Sequence, residues 1–139
     1  MKFNRYAKVH WTGPIKKGKG KITTESKALD EQVYGFGTRF EDENGTNPEE
    51  LVGAAHAACY SMQLSAFMGE EDLTPDSIDT KATVYFEDKE IPRIHLDVTV
   101  KAKGLTEEKM HELTKKAKEN CPLSKLLKAA EITLEARMG

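Results

Sequence analysis

The stretch TNPEELVGAAHAACYSMQLSAFMG, residues 46–69, constrains this chain more than any other. Asn47 suits an N-cap, Pro48 the first helical position, and Glu50 the third, where its carboxylate completes a capping box. Gly69 is the natural stop. The spacing between them predicts a helix over about residues 48–68 that is apolar or small on nearly every face after its first turn, and a helix like that is buried all round. A single domain of 139 residues has too few elements to cover it on every side. A second copy of the chain would solve the problem, because the cluster GAAHAA at 53–58 lets another helix approach closely and antiparallel across a two-fold axis. The alternative is that the small residues pack under the chain's own sheet.

The remaining segments supply that sheet. Residues 2–11 alternate, with Phe3, Ala7, Val9 and Trp11 on one face, and read as a strand. TGPIKKGKGK is a turn that returns the chain into KITTES, a β-hairpin or meander, and a third short strand falls around QVYGF. Beyond the long helix, DSIDTKATVYFED and RIHLDVTVKA alternate cleanly, so Ile78, Ala82, Val84 and Phe86 share an inward face with Ile94, Leu96, Val98 and Val100 in a hairpin. TEEKMHELTKKAKEN is an amphipathic helix capped by Thr106, with Met110, Leu113 and Ala117 as its apolar stripe. CPLSKLLKA is a short helix with Pro122 at its first position, and EITLEARM closes the chain as a strand. The order β-β-β-α-β-β-α-α-β is an α+β layout in one domain, residues 1–139, with neither internal repeat nor linker.

Charge excludes several functions. The chain has 21 basic and 23 acidic side chains, interspersed, for a net charge of −2. That balance offers no concentrated basic face for nucleic acid or an anionic membrane. No run approaches the length of a membrane span, and the N-terminus lacks the apolar core of a secretory signal, so the expected location is the cytoplasm. His10, His56, His95 and His111 show no ligand spacing, and no metal site is expected.

Chemistry then rests on two cysteines, Cys59 and Cys121, which stand 62 positions apart in unlike settings. They are either inert core residues or a redox pair. Cys59 lies three turns into its helix, where the dipole has faded and burial suppresses the thiolate, so reactivity there requires an imported cation. Cys121, before a proline at the start of a short helix, sits where amide groups favour a thiolate, or else it is an ordinary cap.

Four stretches together closely resemble the osmotically inducible protein C (OsmC) family, whose sister group is the organic hydroperoxide resistance proteins. They are HWTGPIKKGKGKITTES at 10–26, YGFGTRF at 34–40, GTNPEELVGAAHAACYSMQLS at 45–65 and NCPLSKLLKAAEITLEA at 120–136. The arginine in GTRF, placed before the long helix, favours the OsmC branch. The resemblance implies an OsmC-like fold with the long helix buried on antiparallel sheet, and the two-fold packing of that helix makes the expected assembly an intertwined homodimer with active sites at the subunit interface. The resemblance also implies a thiol-dependent peroxidase that reduces organic hydroperoxides, and hydrogen peroxide less well, without metal or organic cofactor. Cys59 matches the family's peroxidatic cysteine and Cys121 its resolving cysteine. Arg39 matches the residue that stabilises thiolate and peroxide, and Glu49 the one that orients that arginine. An external dithiol, such as a lipoyl protein or other small dithiol, is the implied reductant. The chain departs from the family pattern in the short connection EDKEIPR between the fourth and fifth strands.

Two other readings are compatible with the residues. Taken alone, Arg39 is a surface ion pair and Glu49 a favourable first-turn acid. His56 and Cys59, three apart on one helix, suit a cysteine hydrolase, although no third orienting residue is evident. A small-molecule or lipid binding module without turnover is the other.

Overall fold

The computed structural model describes all 139 residues, Met1–Gly139. The chain gathers into two compact units, residues 1–48 and 49–139.

The first unit is an antiparallel meander of β1 (Ala7–Thr12), β2 (Lys19–Thr24) and β3 (Gln32–Tyr34), followed by a five-residue helix, α1 (Phe36–Phe40). The β1–β2 register runs from Ala7 opposite Thr24 to Thr12 opposite Lys19. Gly18 closes the intervening turn by donating its N–H to Pro14 O at 2.6 Å. A Cβ there would stand 2.5 Å from Thr12 O and 2.6 Å from Pro14 O, so the backbone folds this tightly only over a glycine.

Two expectations for this unit are corrected. The first strand starts at Ala7, because β2 ends at Thr24 and the ladder stops there, with Tyr6 O accepting a last bond from Glu25 N–H at 3.0 Å. Its alternating face is also not a core, since Phe3 is 69% and Val9 53% exposed, and a three-stranded meander with one short helix supplies no second apolar layer of its own. The third strand, expected around QVYGF, stops at Tyr34, and Phe36–Phe40 forms α1 instead. Thr38 fixes its start, with Oγ1 accepting from Gly35 N–H at 2.9 Å.

The second unit is built on α2 (Pro48–Glu70), whose first residue, Pro48, belongs to the first unit. The helix begins where expected but runs past Gly69. The chain leaves it through Asp72, which takes the left-handed conformation at φ +57, while Leu73 N–H returns to Met68 O at 2.9 Å. Aspartate tolerates that region, so the glycine is not needed as the stop.

Within one chain the helix is covered on one side only, as a domain with too few elements to surround it implies. Gly53, His56, Tyr60, Leu64 and Met68 form a single buried stripe, whereas Ala54, Ala55 and Ala58 are exposed and Met62 is 76% exposed. Gly53 packs on the sheet, with its Cβ position 3.1 Å from Ala82 O. The small-residue cluster is thus divided between the chain's own sheet and an open face.

Against the buried stripe lies the sheet β4 (Pro75–Glu87), β5 (Glu90–Ala102) and β6 (Glu131–Met138), in that spatial order. Ile94, Leu96, Val98 and Val100 of β5 are fully buried, as alternation required. Their partners Ile78, Ala82 and Val84 are half-buried, but Phe86 is exposed near the hairpin tip, where the register slips between Tyr85 and Glu87. The extra residue falls on β5 at Ile91–Pro92, a position where the missing proline N–H interrupts the ladder least. The connection is shorter than EDKEIPR suggested: only Asp88 and Lys89 lie between the strands, both at positive φ, as a two-residue hairpin turn requires.

The sheet is mixed, not antiparallel throughout, because β6 pairs parallel to β5. Parallel pairing needs a crossover, which α3 (Glu107–Asn120) and α4 (Pro122–Leu126) provide. Thr106 caps α3 by accepting Lys109 N–H at 3.1 Å, and Met110, Leu113 and Ala117 are buried, as the sequence indicated. The core is therefore α2, α3 and one face of the second sheet. No helix is long and apolar enough to cross a membrane.

Candidate active site

α2 and the α3–α4 corner carry the two thiols. Cys59 lies near the middle of α2 at the margin of its buried stripe and is half-buried. Cys121 is the hinge residue of the corner. Its N–H bonds Ala117 O at 2.9 Å to end α3, and it stands at the N-cap of α4 with Pro122 next. It is fully buried in the core cluster against which Cys59 packs. Both are free thiols, and Cys121 is near enough to Cys59 to act on its ionisation. Residues 62 apart in sequence are thus adjacent, because the crossover that makes β6 parallel returns its last helix to α2.

The electrostatics of Cys59 are opposed. Burial is the largest influence and pushes its thiol up. The backbone amide of Leu123, the second residue of α4, faces the sulfur and pulls the other way, while the Cys121 thiol raises it further. The amides at the α4 start were expected to favour a thiolate at Cys121, yet that side chain makes no cap hydrogen bond and an amide of the same turn serves Cys59. Within its own compact unit, then, Cys59 has one favourable group and a net penalty.

Arg39 lies in the last turn of α1 in the first unit, exposed, with its guanidinium 5.0 Å from the centre of the Phe40 ring. Glu49 is the second residue of α2, in its acidic first turn. Glu49 and Cys59 are ten residues apart on this helix. That separates their backbones by about 15 Å along the axis, beyond what either side chain spans.

Two neighbours of the thiols were not singled out as a pair by the sequence. His56, one turn before Cys59, is wholly buried and its Nε2 meets Ser124 Oγ at 2.8 Å. Its Nδ1 has no hydrogen-bond partner, and burial lowers its affinity for a proton. The ring is therefore committed to Ser124 and makes no hydrogen bond to the thiol, contrary to the cysteine–histidine arrangement of a hydrolase. No local spacing marks this pair, whose members are 68 residues apart and meet only where the α4 turn lies on α2. Next to Cys59, Tyr60 donates its hydroxyl to Thr114 O at 2.9 Å, and burial, with the charge of Cys121 added, pushes its phenol far above the usual tyrosine range.

Residues 41–137 match the family model described as OsmC-like protein. The chain is 48% identical to peroxiredoxin OsmC of Escherichia coli (strain K12), an alignment that covers 99% of each chain. It is 31% identical to organic hydroperoxide resistance protein OhrB of Bacillus subtilis (strain 168), over 85% of this chain and 89% of that one. The crystal structure of OhrB of Bacillus subtilis superposes with a TM-score of 0.65 at 26% identity, covering 96% of this chain and 98% of the other. An OsmC-like protein from Mycoplasma pneumoniae superposes with a TM-score of 0.79 over 99% of both chains at 11% identity, a likeness of fold.

Proposed function

The chain belongs to the OsmC-like protein family, and from that membership and its adjacent thiols we infer that it is a thiol-dependent peroxidase that reduces organic hydroperoxides, and hydrogen peroxide less well, to alcohols and water. One observation carries the reading: a half-exposed thiol, Cys59, is packed on a fully buried one, Cys121. The accessible sulfur meets the substrate and the buried one waits behind it.

In the first step the Cys59 thiolate attacks the distal oxygen of R–O–O–H. An S–O bond forms, the O–O bond breaks, and the alkoxide leaves with a proton as the alcohol, so the sulfur is oxidised to sulfenic acid. Burial opposes the thiolate, so the site needs a cation. Arg39 is the cation of this reading: its permanent planar charge favours the thiolate and donates hydrogen bonds to the peroxide oxygens. Glu49 holds it in a bidentate pair. Cys121 then condenses with the sulfenic acid, and an external dithiol such as a lipoyl protein reduces the resulting disulfide. No cofactor takes part.

A single α2 cannot bring its own Glu49 to its own Cys59. Two copies packed antiparallel through the exposed Ala54, Ala58 and Met62 face would set the first turn of one helix beside the thiol of the other. The assembly of this reading is a homodimer with two shared sites, acting in the cytoplasm as part of an oxidative stress response.

The test is consumption of cumene hydroperoxide with a dithiol. Cys59→Ser abolishes it, whereas Cys121→Ser permits one oxidation and leaves sulfenic or sulfinic acid on Cys59, visible by mass spectrometry. Activity unchanged in Cys59→Ser excludes the reading.

A further inference from the structure

His56 and Cys59 are three residues apart on α2, and Cys121 and Ser124 are three apart across the start of α4. The two pairs face each other, thiol to thiol and imidazole to hydroxyl, one helical turn apart. α4 has only five residues and follows Cys121 directly, so it is too short to hold its own orientation by helix propensity. Both polar groups of the second contact are buried, and His56 Nδ1 is left without a partner. An orphaned buried nitrogen is costly, and alanine or leucine would fill such a place in a helix without that cost. Keeping a histidine there has a use if its other nitrogen holds something in place.

We propose that the His56–Ser124 hydrogen bond is a latch that positions the α4 turn on α2, so that the Cys121 sulfur is held against Cys59 for the resolving step. His56 and Ser124 are positioning residues, with no contact to the peroxide. The step they serve is Cys59–S–OH + HS–Cys121 → Cys59–S–S–Cys121 + H2O. An S–S bond forms and the S–O bond breaks, the Cys121 proton leaves with the hydroxyl as water, and the sulfenic sulfur is reduced as the thiol sulfur is oxidised. The rate depends on the effective concentration of one sulfur at the other, which is what a rigid α2–α4 contact raises. The imidazole suits a buried latch because it is neutral there and the hydroxyl both donates and accepts, so the bond survives in either tautomer.

This inference rests on the peroxidase reading for its role, yet its central readout does not need peroxide. Equilibration of the Cys59–Cys121 pair in a glutathione redox buffer gives the effective concentration directly. Ser124→Ala is expected to lower it about tenfold, the factor to which one net buried hydrogen bond corresponds, and Ser124→Thr, which keeps the hydroxyl, to restore it. In rapid-mixing experiments with cumene hydroperoxide, the ratio of disulfide formation to Cys59 oxidation should fall by a similar factor in Ser124→Ala, with dimedone-trappable sulfenic acid accumulating. A merely structural role lowers stability and leaves that ratio unchanged. An unchanged effective concentration or ratio in Ser124→Ala, or no recovery with threonine, overturns the latch. If Ser124→Ala does not fold, the wild type decides. The His56 Nε2 resonance keeps its hydrogen-bonded signature in the reduced and disulfide forms, and loss of that signature as the disulfide forms overturns the proposal. A normal redox equilibrium with no oxidation by hydroperoxide counts against the peroxidase reading alone.

Discussion

Cys121 is fully buried in the cluster against which the half-buried Cys59 packs, so the two neighbouring thiols differ in access. Iodoacetamide added to the folded, reduced protein should therefore alkylate Cys59 and spare Cys121, with both reacting in denaturant. Peptide mass spectrometry reads the order, and equal labelling under native conditions would contradict the buried hinge.

Burial pushes the Cys59 thiol up and the Leu123 amide offsets only part of it. If Arg39 supplies the missing charge, Arg39→Ala moves the pH midpoint of Cys59 alkylation upward, toward what burial alone imposes. Mixing Arg39→Ala with Cys59→Ser adds a test of the shared site. If the site is shared between two copies, each variant alone is inactive and subunit exchange restores one intact site per mixed pair. No recovery after verified exchange would mean that Arg39 serves the thiol of its own chain.

His56 holds protons less tightly in the folded chain than in the unfolded one, because burial disfavours the imidazolium. Its contribution to stability is therefore complete above the unfolded value of about 6.5 and is lost as pH falls through the lower folded value. Melting temperature should drop on acidification below about pH 6.5 more steeply in the wild type than in His56→Gln. Parallel profiles for the two proteins would show that the imidazole is not desolvated.

Gly18 closes the β1–β2 turn where a Cβ meets two carbonyl oxygens of the backbone itself. Backbone has little freedom to yield, so Gly18→Ala should cost about 1–3 kcal/mol, measured by urea unfolding. Residues 49–139 carry both thiols in a separate compact unit. Their mutual reach, assayed as disulfide formation with an oxidant, should be unaffected by this change.

Local patterns foretold most of the elements because each is decided within a few residues. Thr106 caps α3, Pro122 opens α4, and alternation buries Ile94, Leu96, Val98 and Val100, all from neighbours along the chain. Errors fell where a distant partner decides. Residues 2–6 alternate like a strand, but no second strand reaches them, and Gly69 looks like a helix stop, but the turn at Asp72 lets the helix pass it. The parallel pairing of β6 was illegible for the same reason, since a lone alternating strand carries no mark of its neighbour's direction.

The cysteines divide the same way. The sequence by itself determined their types, their helical settings and, through GAAHAACYS and NCPLS, their resemblance to one family. Only the tertiary structure decided that Cys59 is reachable while Cys121 is not, that the amide at the α4 start faces Cys59, and that His56 is spent on Ser124. Burial and hydrogen bonding are properties of surfaces brought together. Here they are set by a crossover that carries residue 121 back to residue 59, a closure no local spacing encodes.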